Sequence, residues 1–346
     1  MEIAVVVNLR ARRASERVAR ALREGIPGAR VLVSRSLADA QGFARDLHVR
    51  PPSLLVSAGG DGTATALLNA LRASHTASAG SARADDVLLS GPPLGLLPLG
   101  TGNGWANVTG APGWRKGVTR LGHLAERGGP LPLRRFDLVD VGGQVAPFAG
   151  TGWDAEIIDD FHAQKTGPGI LPARARDGVA GYLHGLVTRT IPRNVREPQV
   201  DVEIVNTGDP ALTVDDLGRP VPVPGGGPGA VLYRGPTSVC AAGTTAEWGF
   251  GFRAFPFAGL VARRFCLRVY TGRALRAVTQ SPRLWLGAHP LAGMHTWLLT
   301  RCRATFSRPV PFQMGGDRMG TRDTIDYALA SEQVDLLDWH SVHATA

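Results

Sequence analysis

Apolar positions change their spacing partway along the chain. Up to about residue 130 they form short β-branched or leucine-rich runs separated by stretches with helical spacing. Residues 3–8 (IAVVVN), 30–34 (RVLVS), 53–58 (SLLVSA) and 94–99 (LGLLPL) read as buried strands. Between them, 15–23, 37–47 and 64–73 read as helices. Ser36, with Asp39 three residues on, forms a capping-box start for the second. A Gly/Ser/Ala stretch near 74–83 reads as a mobile loop. Strands and helices alternating at such short intervals predict a three-layer α/β domain with a mostly parallel sheet.

Beyond residue 132 strand-like runs dominate, at 134–141, 145–150, 199–206, 230–234, 264–271, 295–300 and 302–306. Turn signals separate them, including the Pro/Gly stretch 220–229, and one helical pattern over roughly 175–191 interrupts. The pattern predicts a β-rich second domain, a sandwich. Trp248, Phe250 and Phe252 alternate, which places them on one strand face, as sandwich core or as the lining of an acyl-chain groove.

Composition narrows the class. With 346 residues and 44% apolar content the chain can bury a sizeable core, which excludes bulk disorder. No apolar run reaches the ~18–20 residues that span a bilayer. The start, Met1 to Asn8, is too short and too acidic for a signal peptide. Cys240, Cys266 and Cys302 lie far apart, neither a disulfide framework nor a zinc site. A cytoplasmic location is therefore the default.

The net charge of +9 is unevenly placed. Residues 1–135 hold 18 Lys+Arg against 9 Asp+Glu, and residues 136–346 hold 20 of each. A basic first third suits nucleotide phosphate, a membrane surface or nucleic acid. Only Lys116 and Lys165 are lysines, so a genome rich in GC would also contribute to the skew. No RNA-recognition, helix-turn-helix or zinc-finger pattern accompanies the charge, and no nucleic-acid partner is expected.

Two glycine-rich loops carry the candidate chemistry. Gly59-Gly60-Asp61-Gly62-Thr63 lies between a strand and a helix, where glycines let a polyphosphate approach backbone N–H groups ahead of a helix N-terminus. Asp61 makes sense beside Mg²⁺ or a substrate hydroxyl. Pro98-Leu99-Gly100-Thr101-Gly102-Asn103-Gly104 also joins a strand to a helix, so the two could clamp one nucleotide. Neither is a Walker A loop or a dinucleotide-binding Gly-x-Gly-x-x-Gly.

A GGDGT loop followed by PLGTGN, after an opening strand ending in Asn8, resembles the diacylglycerol kinase catalytic domain superfamily, which includes bacterial lipid kinases, sphingosine kinases and ceramide kinases. Gly152-Trp153-Asp154-Ala155 is similar to the family's Gly-Phe-Asp-Ala. Gln313-Met314-Gly315-Gly316-Asp317 stands where the family has Asp-Gly-Glu. GGDGT alone is shared with NAD kinases and phosphofructokinases. The resemblance implies an NAD kinase- and diacylglycerol kinase-like α/β domain, a C-terminal β-sandwich, and a site in the cleft between them. On this basis residues 1–132 would bind nucleotide, 133–310 would receive the lipid, and 311–346 would return to the first domain. It implies ATP and Mg²⁺ as cofactors, with Asn8, Ser34, Gly59, Gly60, Asp61, Gly62, Thr63, Thr101, Gly102 and Asn103 facing ATP. Asp154 would lie near the lipid headgroup. Asp61 and Asp317 would be catalytic, with Asp317 at the metal.

Departures from the family pattern stand at Thr65 and Ala66, where Asn-Glu is common, at Gly104, where the family has an acid, and at Gly315, where it has the acid usually assigned as base. Asp61 could take the hydroxyl proton instead. Asp159 and Asp160 read as a solvated helix face. His289 and His295 lack a third ligand at useful spacing, and Arg134-Arg135 falls at the domain border. The leading expectation is a lipid kinase of phospholipid metabolism, peripheral to an anionic membrane. NAD kinase-like chemistry and a non-catalytic ATP- or lipid-binding regulator are the alternatives.

Overall fold

The computed structural model describes residues 1–79, 91–166 and 184–343. The chain forms two compact units, Met1–Phe136 with Ser331–Ala346, and Asp137–Ala330. The first opens with β1 (Ile3–Asn8), α1 (Glu16–Gly25), β2 (Arg30–Ser34), α2 (Leu37–Val49), β3 (Leu54–Gly59), α3 (Asp61–Ala79), β4 (Leu94–Pro98), α4 (Gly104–Val108), α5 (Trp114–Arg127) and β5 (Leu133–Phe136). The capping box at α2 is present: Asp39 N donates to Ser36 Oγ at 3.1 Å, and Ser36 N donates to the Asp39 carboxylate at 3.0 Å.

The second unit holds β6 (Val139–Val141), β7 (Gln144–Ala146), β8 (Phe148–Gly152), α6 (Trp153–Thr166), α7 (Ile191–Arg196), β9 (Val200–Asn206), β10 (Leu212–Val214), β11 (Pro220–Pro222), β12 (Val231–Thr237), β13 (Val239–Gly243), β14 (Phe265–Tyr270), α8 (Ala274–Trp285), β15 (Met294–Leu299), β16 (Arg301–Met314) and β17 (Asp317–Leu329). The chain then re-enters the first unit as β18 (Val334–Leu337).

The first sheet has six strands in the order β2-β1-β3-β4-β18-β5. All neighbours are parallel except β18 with β5. β1 and β3 are buried along nearly their whole length, as parallel strands covered on both faces must be. Their β-branched and leucine side chains meet Leu22 and Ile26 of the α1 region and Leu121 of α5 in one core. Strand order reverses between β1 and β3, the switch point at whose carboxyl ends open α/β sheets bind ligands.

The second unit is one hydrogen-bonded network of twelve strands. Every pairing in it is antiparallel. Its spine is the β16–β17 hairpin. Along β16, Cys302, Ala304, Phe306, Val310 and Phe312 alternate inward to join Leu267, Val269, Ile325 and Tyr327.

Several expectations change. Residues 74–79 continue α3 rather than forming a loop, and 80–83 lie outside the described residues. Of the helical pattern at 175–191, the part before 184 also lies outside them. Its remainder is a π-helical turn, Leu186–Thr190, leading into α7. The run 134–141 splits into β5 and β6, one in each unit. Residues 311–330 stay in the second unit as the β16–β17 hairpin, because Phe312, Gln313 and Met314 pair with β8, and only Ser331–Ala346 rejoin the first unit. Trp248 to Phe252 form a tight turn with Phe250 at φ 54°, not a strand. Trp248 and Phe252 pack on the Phe148–Phe255–Cys266 core.

The returning segment is fastened by more than β18. Trp339 is fully buried, and its amide donates to Thr109 O at 3.0 Å. Glu332, 3% exposed, pairs with Arg72 of α3. Removing one partner strands the other charge, which costs ~3–5 kcal/mol in a fully buried pair. Arg72 keeps some access to water, so Glu332→Ala is expected to cost about 2–3 kcal/mol. The urea midpoint should fall accordingly; an unchanged midpoint would show that the pair does not hold the segment.

Candidate active site

β3 and β4 are adjacent and parallel, with Gly59 opposite Pro98, so both glycine-rich loops emerge side by side. Their backbones touch. A Cβ on Gly60 would sit 3.2 Å from Gly100 Cα, and a Cβ on Gly100 would run into Gly60 more closely still. Only glycine at both positions lets the bends meet. Gly59 O accepts from Leu99 N at 2.8 Å and Gly100 N at 3.0 Å, which extends the β3–β4 pairing into the loops.

Asp61 ties the loops together through its side chain. Its Oδ2 accepts from Gly104 N at 2.8 Å and its Oδ1 from Trp105 N at 3.0 Å, the first two amides of α4. The carboxylate expected to act as base therefore caps the neighbouring loop's helix, and both its oxygens are occupied. Asn103, in the left-handed region at φ 53°, closes its own loop. Its Oδ1 accepts from Gly100 N at 3.0 Å and its Nδ2 donates to Gly100 O at 2.9 Å.

Asn8, at the end of β1, donates from Nδ2 to Thr63 Oγ1 at 2.9 Å and accepts from Arg10 N at 2.9 Å. That bond bridges the switch point. Ser34 is buried, and its hydroxyl donates to Ser36 O at 2.9 Å, so it holds the start of α2 rather than facing outward. Gly62 and Thr63 stand in the first turn of α3, ahead of the first helical bond, Ala64 N to Gly60 O. Their amides belong to the orphan donors that make a helix start favourable for an anion. Thr101 and Gly102 are part-exposed between Gly100 and Asn103.

Sequence reasoning missed the β1–α1 loop as part of this edge. Arg13 N donates to Leu99 O at 2.9 Å, so the loop carrying Arg10, Arg12 and Arg13 is fastened to the second glycine-rich bend. The signal was present as a basic run directly after a buried strand.

In the second unit, Asp154 lies in the first turn of α6. Gly315 and Gly316 form the two-residue turn of the β16–β17 hairpin at φ 56° and 87°, the arrangement of a type I′ turn. Gly316 N donates to Gln313 Oε1 at 3.0 Å. Asp317 follows. The residue is exposed, but protein packed around its carboxyl pushes the pKa above the ordinary value. Asp160, expected on a solvated face, is buried, accepting from Thr190 Oγ1 at 2.7 Å and pairing with Arg193. Asp159 pairs with Arg318 at 2.8 Å. His289 Nε2 lies 2.8 Å from Asp215 O, and the His295 ring stacks on Trp297. All three cysteines are buried, and none of them forms a disulfide.

Asp61→Asn replaces one acceptor by an amide donor facing another donor. Hydrogen bonds to charged groups contribute ~1.5–3 kcal/mol. The variant should lose about 1–3 kcal/mol of stability, visible by thermal unfolding. Unchanged stability would show that the carboxylate does not tie the two loops together.

Asp317 gives a pH-dependent expectation. Because its folded pKa is raised, the unfolded chain ionises first as pH increases. Stability is then lost through and above the ordinary carboxylate range, and no penalty applies below it. Asp317→Asn should therefore unfold at higher temperature than the parent at neutral pH, with the difference vanishing near about pH 3. An equal difference at both pH values would contradict this.

No curated protein matches the chain in sequence. Among solved structures, a diacylglycerol kinase from Bacillus anthracis str. Sterne superposes with a TM-score of 0.60 at 13% identity, covering 99% of this chain and 98% of that one. A candidate diacylglycerol kinase from the same organism gives 0.64 at 15% identity, covering 97% and 96%. At such identities these show a shared fold: an α/β domain with a mostly parallel sheet and an antiparallel β-rich domain. No helix among the described residues is long and apolar enough to cross a membrane. Residues 2–129, which span both glycine-rich loops, match the family model of the diacylglycerol kinase catalytic domain.

Proposed function

We propose that the protein is an ATP-dependent kinase that transfers the γ-phosphoryl group to a lipid hydroxyl, with a diacylglycerol-type acceptor. The supporting observation is the locked pair of bends: Gly60 against Gly100, with Asp61 holding both leading amides of α4. Such an edge is lined by backbone, with no Cβ atom where the two bends meet, as close approach of a triphosphate requires. The catalytic-domain match over both loops points the same way.

In this reading Gly59 to Thr63 and Thr101 to Asn103 cradle the phosphates. Asn8 orients Thr63, and Ser34 acts indirectly through α2. The arginine loop after β1 supplies positive charge. The acceptor oxygen attacks the γ-phosphorus, the bond to the β-phosphate oxygen breaks, ADP leaves, and a base takes the hydroxyl proton. In this reading Asp317 is the candidate base, because Asp61 already accepts two amides. The roles of Asp317 and of Asp154 toward the acceptor otherwise rest on the resemblance.

Among the described residues no group of three or more His, Cys, Asp or Glu could hold a metal. Mg²⁺ bound to a nucleotide needs only one or two protein carboxylates besides the phosphates, and the resemblance assigns that part to Asp317. When bound, the ion would neutralise charge on the phosphates. Gly315, in place of the family acid, supports a second reading as a binding-only regulator.

Incubation with γ-labelled ATP, mixed lipids and NAD separates the readings. Label in a lipid product is expected, lost by at least ~100-fold in Asp317→Asn if it is the base. Label only in NADP would replace the lipid acceptor with NAD. Nucleotide binding without any labelled product would favour the regulator.

A further inference from the structure

The outer face of α8 is not explained by phosphoryl transfer. Leu275, Val278, Pro282, Trp285 and Leu286 recur at i, i+3, i+7, i+10 and i+11, which places them on one side of the helix. That side faces solvent: Leu275 is 67% exposed, Val278 49%, Trp285 45% and Leu286 68%. The opposite side holds the helix to its own unit. Gln280 there accepts from the Tyr270 hydroxyl at 2.7 Å, and at the start of the helix Ala274 is buried. Trp285 is fixed from below by an edge contact with Phe252 at 5.5 Å, and its carbonyl accepts from Arg253 N at 3.0 Å. Four large apolar side chains are thus presented on a rigid helix, each with much of its surface in water.

The charged residues on the helix itself have one sign. Arg276 and Arg283, seven residues apart, border the apolar stripe, and Arg273 precedes the helix, all three exposed. From Trp248 to Gly316 the sequence contains ten arginines and not one Asp or Glu. A protein partner would need an acidic rim around an apolar centre. A bilayer with anionic headgroups offers both at once: apolar depth for Leu and Trp, and negative charge for arginines that flank them. Trp at the edge of such a stripe suits the headgroup level.

We propose that α8 is the membrane-docking element of the second unit, lying in the plane of an anionic lipid surface with Leu275, Val278, Trp285 and Leu286 inserted and Arg276 and Arg283 at the phosphates. A lipid acceptor gives this surface its purpose, and to that extent docking rests on the kinase reading. Vesicle binding is measured without turnover, so each can fail without the other.

The test is flotation of the full chain with vesicles of phosphatidylcholine alone or mixed with phosphatidylglycerol. The protein should float with the anionic vesicles and at least tenfold less with the neutral ones, and added salt should weaken binding. Leu275→Asn with Leu286→Asn should lower partitioning by about tenfold or more, since two apolar side chains would no longer be buried in lipid. Arg276→Glu with Arg283→Glu should abolish the preference for anionic vesicles. Both pairs are exposed, so circular dichroism and nucleotide binding should be unchanged. Absence of binding to anionic vesicles, or binding unaffected in both double variants, would overturn the proposal. So would a dimer in gel filtration that the Leu275/Leu286 variant converts to monomer, because the face would then meet a second copy of the chain.

Discussion

Two parallel strands end side by side, and the bends that follow them must share the same space. The contact between Gly60 and Gly100 resolves that conflict, and much of the first unit is arranged around it. With no side chain at either position, Gly59 O can accept from Leu99 and Gly100, and the second bend closes against the first. Asp61 then reaches the leading amides of α4. A five-residue helix has little stability of its own. It persists because a carboxylate from the adjacent loop satisfies its first donors.

The other end of α4 depends on the end of the chain. Trp339 N donates to Thr109 O, and β18 fills the gap between β4 and β5. The first unit is therefore incomplete without residues that follow the whole β-rich unit in sequence. The Arg72–Glu332 pair adds a tie from the returning segment to α3, the helix that begins at Asp61. Both helices that leave the glycine-rich bends are thus braced by the C-terminal segment, which couples the bends to a stretch without any motif.

What could be read in advance follows from which signals are local. β1, β3 and β4 are continuous apolar runs, because parallel strands are covered on both faces, and each stood out, as did the part-exposed edge strand β2. The Ser36–Asp39 box marked α2 for the same local reason. β17 was missed because Asp317–Leu329 is mostly exposed and polar, paired to β16 through its backbone with little apolar alternation. The aromatic run at Trp248 misled in the opposite direction: its alternation imitates a strand, while Gly249 and Gly251 let the backbone turn. At the site, the glycine-rich bends and Asn8 were legible from residue type. The partners of Asp61 were not, since amide donors carry no side-chain signature in a sequence.

Charge shows the same limit of coarse reading. Residues 136–346 carry equal numbers of acids and bases, and on that count the second unit is neutral. The balance conceals a segregation, because every acid of that region lies before Trp248 or after Gly316. Screening at physiological salt limits exposed charges to about 8 Å, so a distant acid does not cancel a local arginine. The field met by an approaching surface is set by neighbours, and α8 itself presents Arg276 and Arg283 beside its exposed apolar side chains. The basic excess of the first third and the acid-free stretch of the second unit are thus separate features. The former accompanies the glycine-rich bends, while the latter accompanies the only described helix that turns so many large apolar groups outward.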